Sequence, residues 1–401
     1  PNLNTKTVVN STPKPYTIKI LLFCTDLLGK SGIKLRQAER DLTMKRKVIL
    51  SLIIAMFLLI SAAQGQVRHE INFPNLPGYK TLKCDLHTHT VFSDGYVWPV
   101  VRVDEAWREG LDVLAITDHI EYQPHKNDIP TNHNRPFEIA SLRAKKRDLL
   151  LIRGAEITRD TPPGHFNAIF LKDINPLDTK DFLEVIKRAN EQGAFVFWNH
   201  QGWMGEEKGK WLEVHTTMYK NKWLHGMEVG NEGDYYPSAH KWCLEKNLTI
   251  MGNSDIHSPD LRPKSSANDH RTMNLVFAKE RTLESVKQAL KEGRTAVWLN
   301  NQIIGREDIL RPLFQRCVQM TPAHLRHKNE IWVKMYNDCE LDITLQRNSG
   351  VGPETISLPP NSTVLLRNKV DPQTEHPILS YQATNFLIGP GKTLPVQFTI
   401  H

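Results

Sequence analysis

The chain has 401 residues, 40% of them hydrophobic and 24% charged, with a formal net charge of +7. This excludes disorder of the bulk, and the length suffices for one large α/β domain with a smaller companion. The charge would suit a nucleic-acid or membrane partner, but it is confined to the leader: residues 1–43 hold seven Lys/Arg against three Asp/Glu, residues 44–65 three against none, and residues 66–401 carry 41 of each sign.

The leader reads as an export signal from Met44 onward. Met44-Lys45-Arg46-Lys47 is a positive start, Val48 to Ile60 an almost unbroken apolar run, and Ser61, Ala62, Ala63 and Gly65 the small residues of a cleavage site. The run is shorter than the ~20 residues a spanning helix needs. Residues 44–65 are therefore expected to be a signal peptide cleaved after Ala63 or Gly65, with an anchor as the alternative, and the product to be periplasmic or secreted without stable membrane insertion. No Cys follows the run to receive a lipid. Residues 1–43 read as an over-extended start, Met44 being the true first residue, or else as a disordered extension. The cysteines (Cys24, Cys84, Cys243, Cys317 and Cys339) show no metal-binding or redox spacing. Export permits disulfides; Cys84 is expected as a free core thiol, and Cys317 with Cys339 is the one bridge worth testing.

From Thr81 to Asp255 short apolar runs alternate with amphipathic segments, the βαβα rhythm of a parallel sheet or barrel. The runs are Thr81 to Leu86, Val113 to Thr117, Leu149 to Ile157, His165 to Leu171, Ala194 to Trp198, Gly226 to Gly230 and Leu248 to Gly252, and seven suits a closed barrel. Thr179 to Gln192 is the clearest helix, with Phe182, Leu183, Val185, Ile186 and Ala189 on one face and Gly193 as its stop. Thr282 to Lys291 is a second, and Arg294 to Trp298 reads as a closing strand. The barrel is expected over 66–325. After about Arg326 the segments Ile331 to Met335, Leu341 to Gln346, Thr363 to Leu366 and Pro395 to Ile400 predict a small antiparallel β-sandwich over 326–401, in which no chemistry is legible.

The chemistry lies at the strand ends. His87 and His89 are two apart, so an extended chain projects both to one side, as two imidazoles must to share one ion; Asp94 follows on a turn that Gly95 helps to fold. The second strand ends in Thr117-Asp118-His119, the third carries Glu156, the fourth opens at His165, the fifth ends in Asn199-His200, and the seventh runs into Asp255-Ile256-His257. The sixth brings no ligand. Barrel strands deliver side chains to a functional face at such ends, although His165, at the start of its run, fits that rule least well. Any one of these, His165 for example, is more simply a hydrogen-bonded or surface residue. Six histidines and three carboxylates together require a ligand set. The eleven other histidines, His125, His133, His215, His225 and His240 among them, read as surface residues or as supports around the ligands.

From roughly Lys83 to Trp298 these motifs resemble the polymerase and histidinol phosphatase (PHP) family: H-x-H with a following S-D-G, T-D-H after the second strand, a bridging Glu, two isolated histidines and a final D-x-H, all in order. The resemblance implies a distorted (β/α)7 barrel with a trinuclear metal centre. His87, His89, Glu156 and Asp255 would hold one ion, Glu156, His165 and His200 a second, and Asp94, His119 and His257 a third, with Glu156, Asp255 and His257 closest to the catalytic chemistry.

The ligand set carries its own implications. Mixed imidazole and carboxylate ligation suits Zn²⁺, Mn²⁺ or Fe²⁺ and disfavours Mg²⁺ or Ca²⁺. Two ions sharing a carboxylate sit roughly 3.5 to 4 Å apart, a spacing at which bound water becomes hydroxide near neutral pH and can attack phosphorus. Asp118 is a candidate to orient a ligand imidazole, or is a plain turn residue or helix cap. Arg159, Lys172 and Asn199 are candidates to reach a substrate phosphate. Trp198, Trp203, Trp211 and Trp223 either wall a pocket for an aromatic leaving group or belong to the core. The expected function is hydrolysis of a small phosphate ester, a diester ahead of a monoester. The balanced mature charge does not favour nucleic acid. The alternatives are an amidohydrolase-like hydrolase of C–N or C–O bonds, and a binding module that keeps metal for stability.

Overall fold

The structure, a computed structural model, describes residues 37, 40–52, 66–130, 132–261 and 269–401. It divides into two units, Pro1–Gln66 and Val67–His401. In the first, residues 40–52 are helical and exposed. No helix among the described residues is long and apolar enough to cross a membrane. The expected cleavage site, the apolar run beyond residue 52, most of the 1–43 extension and Cys24 lie outside the described residues.

In the second unit seven strands wrap into a distorted barrel: β1 (Lys80–Asp85), β2 (Val113–Ile116), β3 (Leu150–Ile157), β4 (Phe166–Ile169), β5 (Phe195–Trp198), β6 (Gly226–Asn231) and, after the two-residue β7 (Asp234–Tyr235), β8 (Thr249–Asn253). These are the seven expected strands, their ends moved by a residue or two. β2, β4, β5, β6 and β8 are buried throughout, which is why they read as unbroken apolar runs. The wall closes beyond the last regular pairs. Thr88 bridges Ile256 in parallel, Asp255 N donates to His87 O at 3.0 Å, and His89 N donates to Ile256 O at 3.2 Å.

The parallel rhythm breaks at β4, which runs antiparallel to both β3 and β5. Only residues 158–165 join β3 to β4, fewer than the dozen or so that a parallel crossover needs. Two further strands escaped the sequence reading, β9 (Met273–Ala278) and β11 (Gln302–Gly305); with β10 (Thr295–Leu299) between them they extend the sheet antiparallel from β1. β9 is buried along its whole length and so offers no alternating pattern. Its Asn274 spans to the neighbouring β8: the side-chain amide donates to Gly252 O at 2.7 Å and Asn253 Oδ1 at 2.8 Å and accepts from Gly252 N at 2.9 Å. Gly252 is needed because β10 packs directly on it, a Cβ there falling 2.2 Å from a methyl of Val297.

Helices α1 (Pro99–Glu109), α2 (Arg135–Lys146), α3 (Phe182–Glu191), α4 (Glu213–Lys220), α5 (Pro237–Lys246) and α6 (Leu283–Lys291) belong to the barrel unit. Local chemistry sets the ends of α3 and α6: Asp181 and Thr282 accept from the backbone N–H of Glu184 and Ser285, and Gly193 and Gly293 follow at positive φ.

The sequence reading also passed over α7 (Glu307–Cys317), which leads into β12 (Val318–Met320), β13 (Leu325–His327), β14 (Glu330–Asn337), β15 (Ile343–Gly350), β16 (Thr355–Leu358), β17 (Ser362–Lys369), β18 (Ile378–Gly389) and β19 (Lys392–Thr399). They form two antiparallel layers, one with β12, β13 and β17 around β14, the other in the order β16-β15-β18-β19. β18 also pairs in parallel with β11, so one sheet runs from the barrel into the second layer. Cys84 is a buried free thiol, as expected; Cys317 and Cys339 are also buried free thiols, so the bridge considered for them is not formed.

Replacing Asn274 by Leu keeps the side-chain volume and strips Gly252 N and O of their partners. At about 1–3 kcal/mol for each unsatisfied buried group, the variant should lose roughly 2–5 kcal/mol of stability in chemical denaturation. An unchanged midpoint would refute the role given to this amide.

Candidate metal centre

Each expected ligand reaches one end of the barrel for a local reason. His87 and His89 continue β1 in extended chain. His119 follows β2, and its backbone bridges Glu156 at the end of β3, which places imidazole and carboxylate side by side. His165 precedes β4; because β4 is antiparallel, its N-terminal end lies with the C-terminal ends of its neighbours, which resolves the one ligand that fitted the strand-end rule poorly. His200 and Asp255 follow β5 and β8 at φ of 25° and 50°, left-handed conformations that cost non-glycine residues energy and turn both side chains inward.

The side chains converge in three groups: His87, His89, Glu156 and Asp255; Glu156, His165 and His200; and His89, Asp94, His119 and His257. In the first, His87 Nε2 lies 3.1 Å from Glu156 Oε2 and 3.0 Å from Asp255 Oδ1, and His89 Nε2 lies 3.2 and 3.0 Å from the same two atoms. Ligand atoms 2.0–2.1 Å from one tetrahedral ion stand about 3.3 Å apart, so this spacing is that of a coordination shell. Glu156 Oε1 serves the second group, 2.9 Å from His165 Nδ1 and 3.7 Å from His200 Nε2. In the third, Asp94 Oδ1 is 3.4 Å from His119 Nε2 and 3.2 Å from His257 Nε2. His89 Nε2, Asp94 Oδ1, Glu156 Oε1, His165 Nδ1 and Asp255 Oδ1 are buried without a well-formed hydrogen bond. Buried polar atoms are rarely left so. Lone pairs aimed at common points, with imidazole and carboxylate donors, fit divalent transition-metal ions.

The electrostatics match. Burial alone would lower the His87 pKa, but Asp255, Glu228 and Glu156 outweigh it and raise it well above the usual imidazole value. His89 is likewise opposed by burial and raised to about 9 by Asp255 and Glu156. His200 is raised by Glu156, Asp255 and Glu228. Burial would raise the carboxyls; instead His119 and His87 lead in holding Glu156 well below the usual carboxylate range, and His87 and His89 do the same for Asp255.

The sixth strand, silent in the sequence reading, contributes Glu228. It is fully buried, its Oε1 lying 2.9 Å from His87 Nδ1 and accepting from Asn253 Nδ2 at 2.8 Å, while Oε2 accepts from His200 N and Asn231 Nδ2, each at 2.8 Å. A carboxylate behind a ligand imidazole fixes its tautomer and raises its basicity. An acid inside the run Gly226 to Gly230 was the available signal. Asp118 does not contact its neighbour's imidazole: it accepts from Thr90 N at 2.6 Å, Thr90 Oγ1 at 2.7 Å and Ser93 Oγ at 2.8 Å, and Ser93 Oγ lies 3.3 Å from His89 Nδ1. The carboxylate thus folds the turn that carries Asp94 and reaches His89 through Ser93.

The cleft over the centre has a volume near 380 Å³ and is lined, besides ligands, by Trp203, Asn231, Glu232, Asp234 and Tyr236. Trp203 stands at its mouth, 53% exposed, 5.7 Å between ring centroids from both His165 and His200. The other substrate candidates lie elsewhere. Arg159 is paired with Glu121 and donates to Thr179 O. Asn199 is buried, holding Asn167 across the β4–β5 ladder. Lys172 follows the C-terminal end of β4, opposite the ligands. Trp198 is core, stacked on His215 at 3.9 Å, and Trp211 and Trp223 pack against the same core.

Fold and site together define a metallohydrolase barrel with a clustered imidazole–carboxylate centre. A solved two-domain protein from Bacteroides vulgatus, containing a predicted PHP-like metal-dependent phosphoesterase, is 43% identical with a TM-score of 0.80, over 84% of this chain and 100% of that one. The chain belongs to this PHP-like metal-dependent phosphoesterase family. The Ig-like domain family DUF5001 matches residues 318–399. An uncharacterised protein of Methanocaldococcus jannaschii is 29% identical over 140 residues, 34% of this chain; the match spans 52% of that protein's length.

Two measurements probe the centre. Ligation requires neutral imidazoles, and those of His87 and His89 are held protonated near neutrality in the metal-free site. Metal binding at pH 7.5 should therefore release roughly two protons or more, and affinity should climb as pH rises toward 9; calorimetry in buffers of different ionisation enthalpy would show no proton release if the assignment is wrong. Glu228→Gln would turn an amide N–H₂ toward groups that already donate, and metal affinity should fall about 10- to 100-fold, as read by competition with a chelating dye.

Proposed function

We propose that the mature chain hydrolyses small organic phosphate esters, diesters ahead of monoesters, at a centre of three divalent transition-metal ions, Zn²⁺, Mn²⁺ or Fe²⁺. The carrying observation is that Glu156 directs one oxygen into the His87, His89 and Asp255 group and the other into the His165 and His200 group. An amidohydrolase-like centre of two ions would leave Asp94, His119 and His257 without a part, although they converge as tightly as the rest. A site needed only for stability is closed by four ligands on one ion, and three adjoining groups go beyond that.

Ions bound there supply charge neutralisation for the phosphate and acidify water into a nucleophile. The protein contributes position. The first group is buried and in the second only His165 keeps some exposure, 16% of its side chain, whereas the side chains of Asp94 and His257 remain 26% and 28% exposed, so a substrate entering the cleft meets the third group first. The volume falls within the range of small-molecule sites. Trp203 and Tyr236 offer apolar walls for the substituents of an ester, and Asn231, Glu232 and Asp234 polar contacts. Action outside the cytoplasm is part of this reading and rests on the signal-like sequence from Met44.

The chain from residue 66 onward, loaded with Mn²⁺ or Zn²⁺, should hydrolyse bis(p-nitrophenyl) phosphate faster than p-nitrophenyl phosphate. Glu156→Ala should cut turnover by more than the hundredfold that outer-shell changes typically reach. Full activity in that variant would sink the mechanism, and turnover of neither ester with any of the three metals would sink the function.

A further inference from the structure

His257 lies four residues past the end of β8. Its backbone is tied by Tyr96 N, which donates to His257 O at 2.9 Å, and through Ile256 O, which accepts from His89 N at 3.2 Å; α1 grips the same segment from the side. Arg102, fully buried, spends its guanidinium on main-chain carbonyls: Nη2 donates to His257 O at 3.0 Å, Nη1 to Ser258 O at 3.2 Å, and Nε to His89 O at 3.1 Å. Its charge is met by Glu105, 2.6 Å from Nη1, whose other oxygen accepts from Asp260 N at 2.9 Å. Arg271, also buried, pairs with Asp260 at 3.2 Å and with Asp85 at 3.4 Å, and Asp85 in turn accepts from Ser254 Oγ at 2.6 Å. A chain of buried charges thus runs from the strand that carries His87 and His89 to the segment that carries His257.

Burying two guanidiniums is costly unless every charge is paired and hydrogen-bonded. A network built only for stability would need no fork on the carbonyls of two ligand residues. We propose that Arg102 is a positioning residue for the ion that His89, Asp94, His119 and His257 would hold: by bracketing His89 O and His257 O it helps to fix the separation of the two imidazoles, whose rings stack at 4.1 Å, and so sets the affinity of that position more than of the other two. The proposal rests on the reading that these residues hold an ion. Lysine cannot replace arginine here, because an ammonium is a point donor and cannot span three carbonyls in a plane.

The test is metal content by mass spectrometry after equilibrium dialysis against Mn²⁺ or Zn²⁺, with thermal unfolding of the metal-free proteins alongside. The parent should hold three ions. Arg102→Lys should hold two at the same free metal, with the third weakened about tenfold or more, and should still fold. Asp94→Ala defines the protein that lacks the third ion; adding Arg102→Lys to it should remove nothing further. Arg102→Met with Glu105→Met, which deletes both charges with little change of volume, should behave as Arg102→Lys does. Three ions of unchanged affinity in Arg102→Lys would overturn the positioning role while leaving the metal centre intact. Loss of all ions in parallel, or failure of both Arg102 variants to fold, would overturn it by assigning the network to the fold as a whole. A parent holding fewer than three ions would overturn it together with the trinuclear reading.

Discussion

Glu156 is a carboxylate taken wholly out of water, and the centre is arranged around that cost. Removing an ionised carboxylate from water without compensation costs many kcal/mol, yet burial does not neutralise Glu156: five imidazoles stand within 3.7 Å of its two oxygens and keep it ionised. Of these imidazoles, His87, His89 and His200 are drawn toward the protonated form by the surrounding carboxylates, and bound ions would take the place of those protons.

Geometry of this kind needs support behind it. Glu228 backs His87 and ties its ring to the backbone of His200; Asp118 folds the turn of Asp94 and reaches His89 through Ser93; Thr158 Oγ1 lies 2.5 Å from His119 Nδ1. These groups come from β6, from the end of β2 and from the end of β3, so ligands from different strands are cross-braced below the cleft. Ligands held by independent loops would pay separately in conformational entropy for each one ordered; cross-bracing orders them when the barrel folds.

The nine candidate ligands could be picked out in the sequence because barrel topology turns strand ends into one surface, so chemistry scattered from His87 to His257 becomes local. Where the reading strained, at His165, the reason was the direction of β4, which a connection of residues 158–165 had already settled. Glu228 was missed because it serves a ligand rather than a metal and leaves no histidine beside it. Arg159, Lys172 and Asn199 looked available for phosphate only because charge and proximity in sequence do not show which way a side chain faces. Arg159 spends its guanidinium on Glu121, and Asn199 its side-chain amide on Asn167. β9 was invisible because full burial removes the alternation that marks a strand, and α7 because Pro312 lies inside it.

The β-rich tail reads in sequence as a small sandwich beside the barrel, and the structure joins the two directly. β18 pairs directly with β11, and one apolar cluster contains Leu275 and Trp298 of the barrel together with Leu345, Phe386 and Leu394 of the tail. A sandwich of this size on its own would bury a smaller fraction of its surface than a larger domain does; sharing a core offsets that deficit and covers strand edges that would otherwise invite pairing. β10 belongs to the same sheet and packs Val297 against Gly252, three residues before the ligand Asp255. The tail therefore supports, through β11 and β10, the strand that presents Asp255 and His257, and the centre and the second domain are parts of one folded unit.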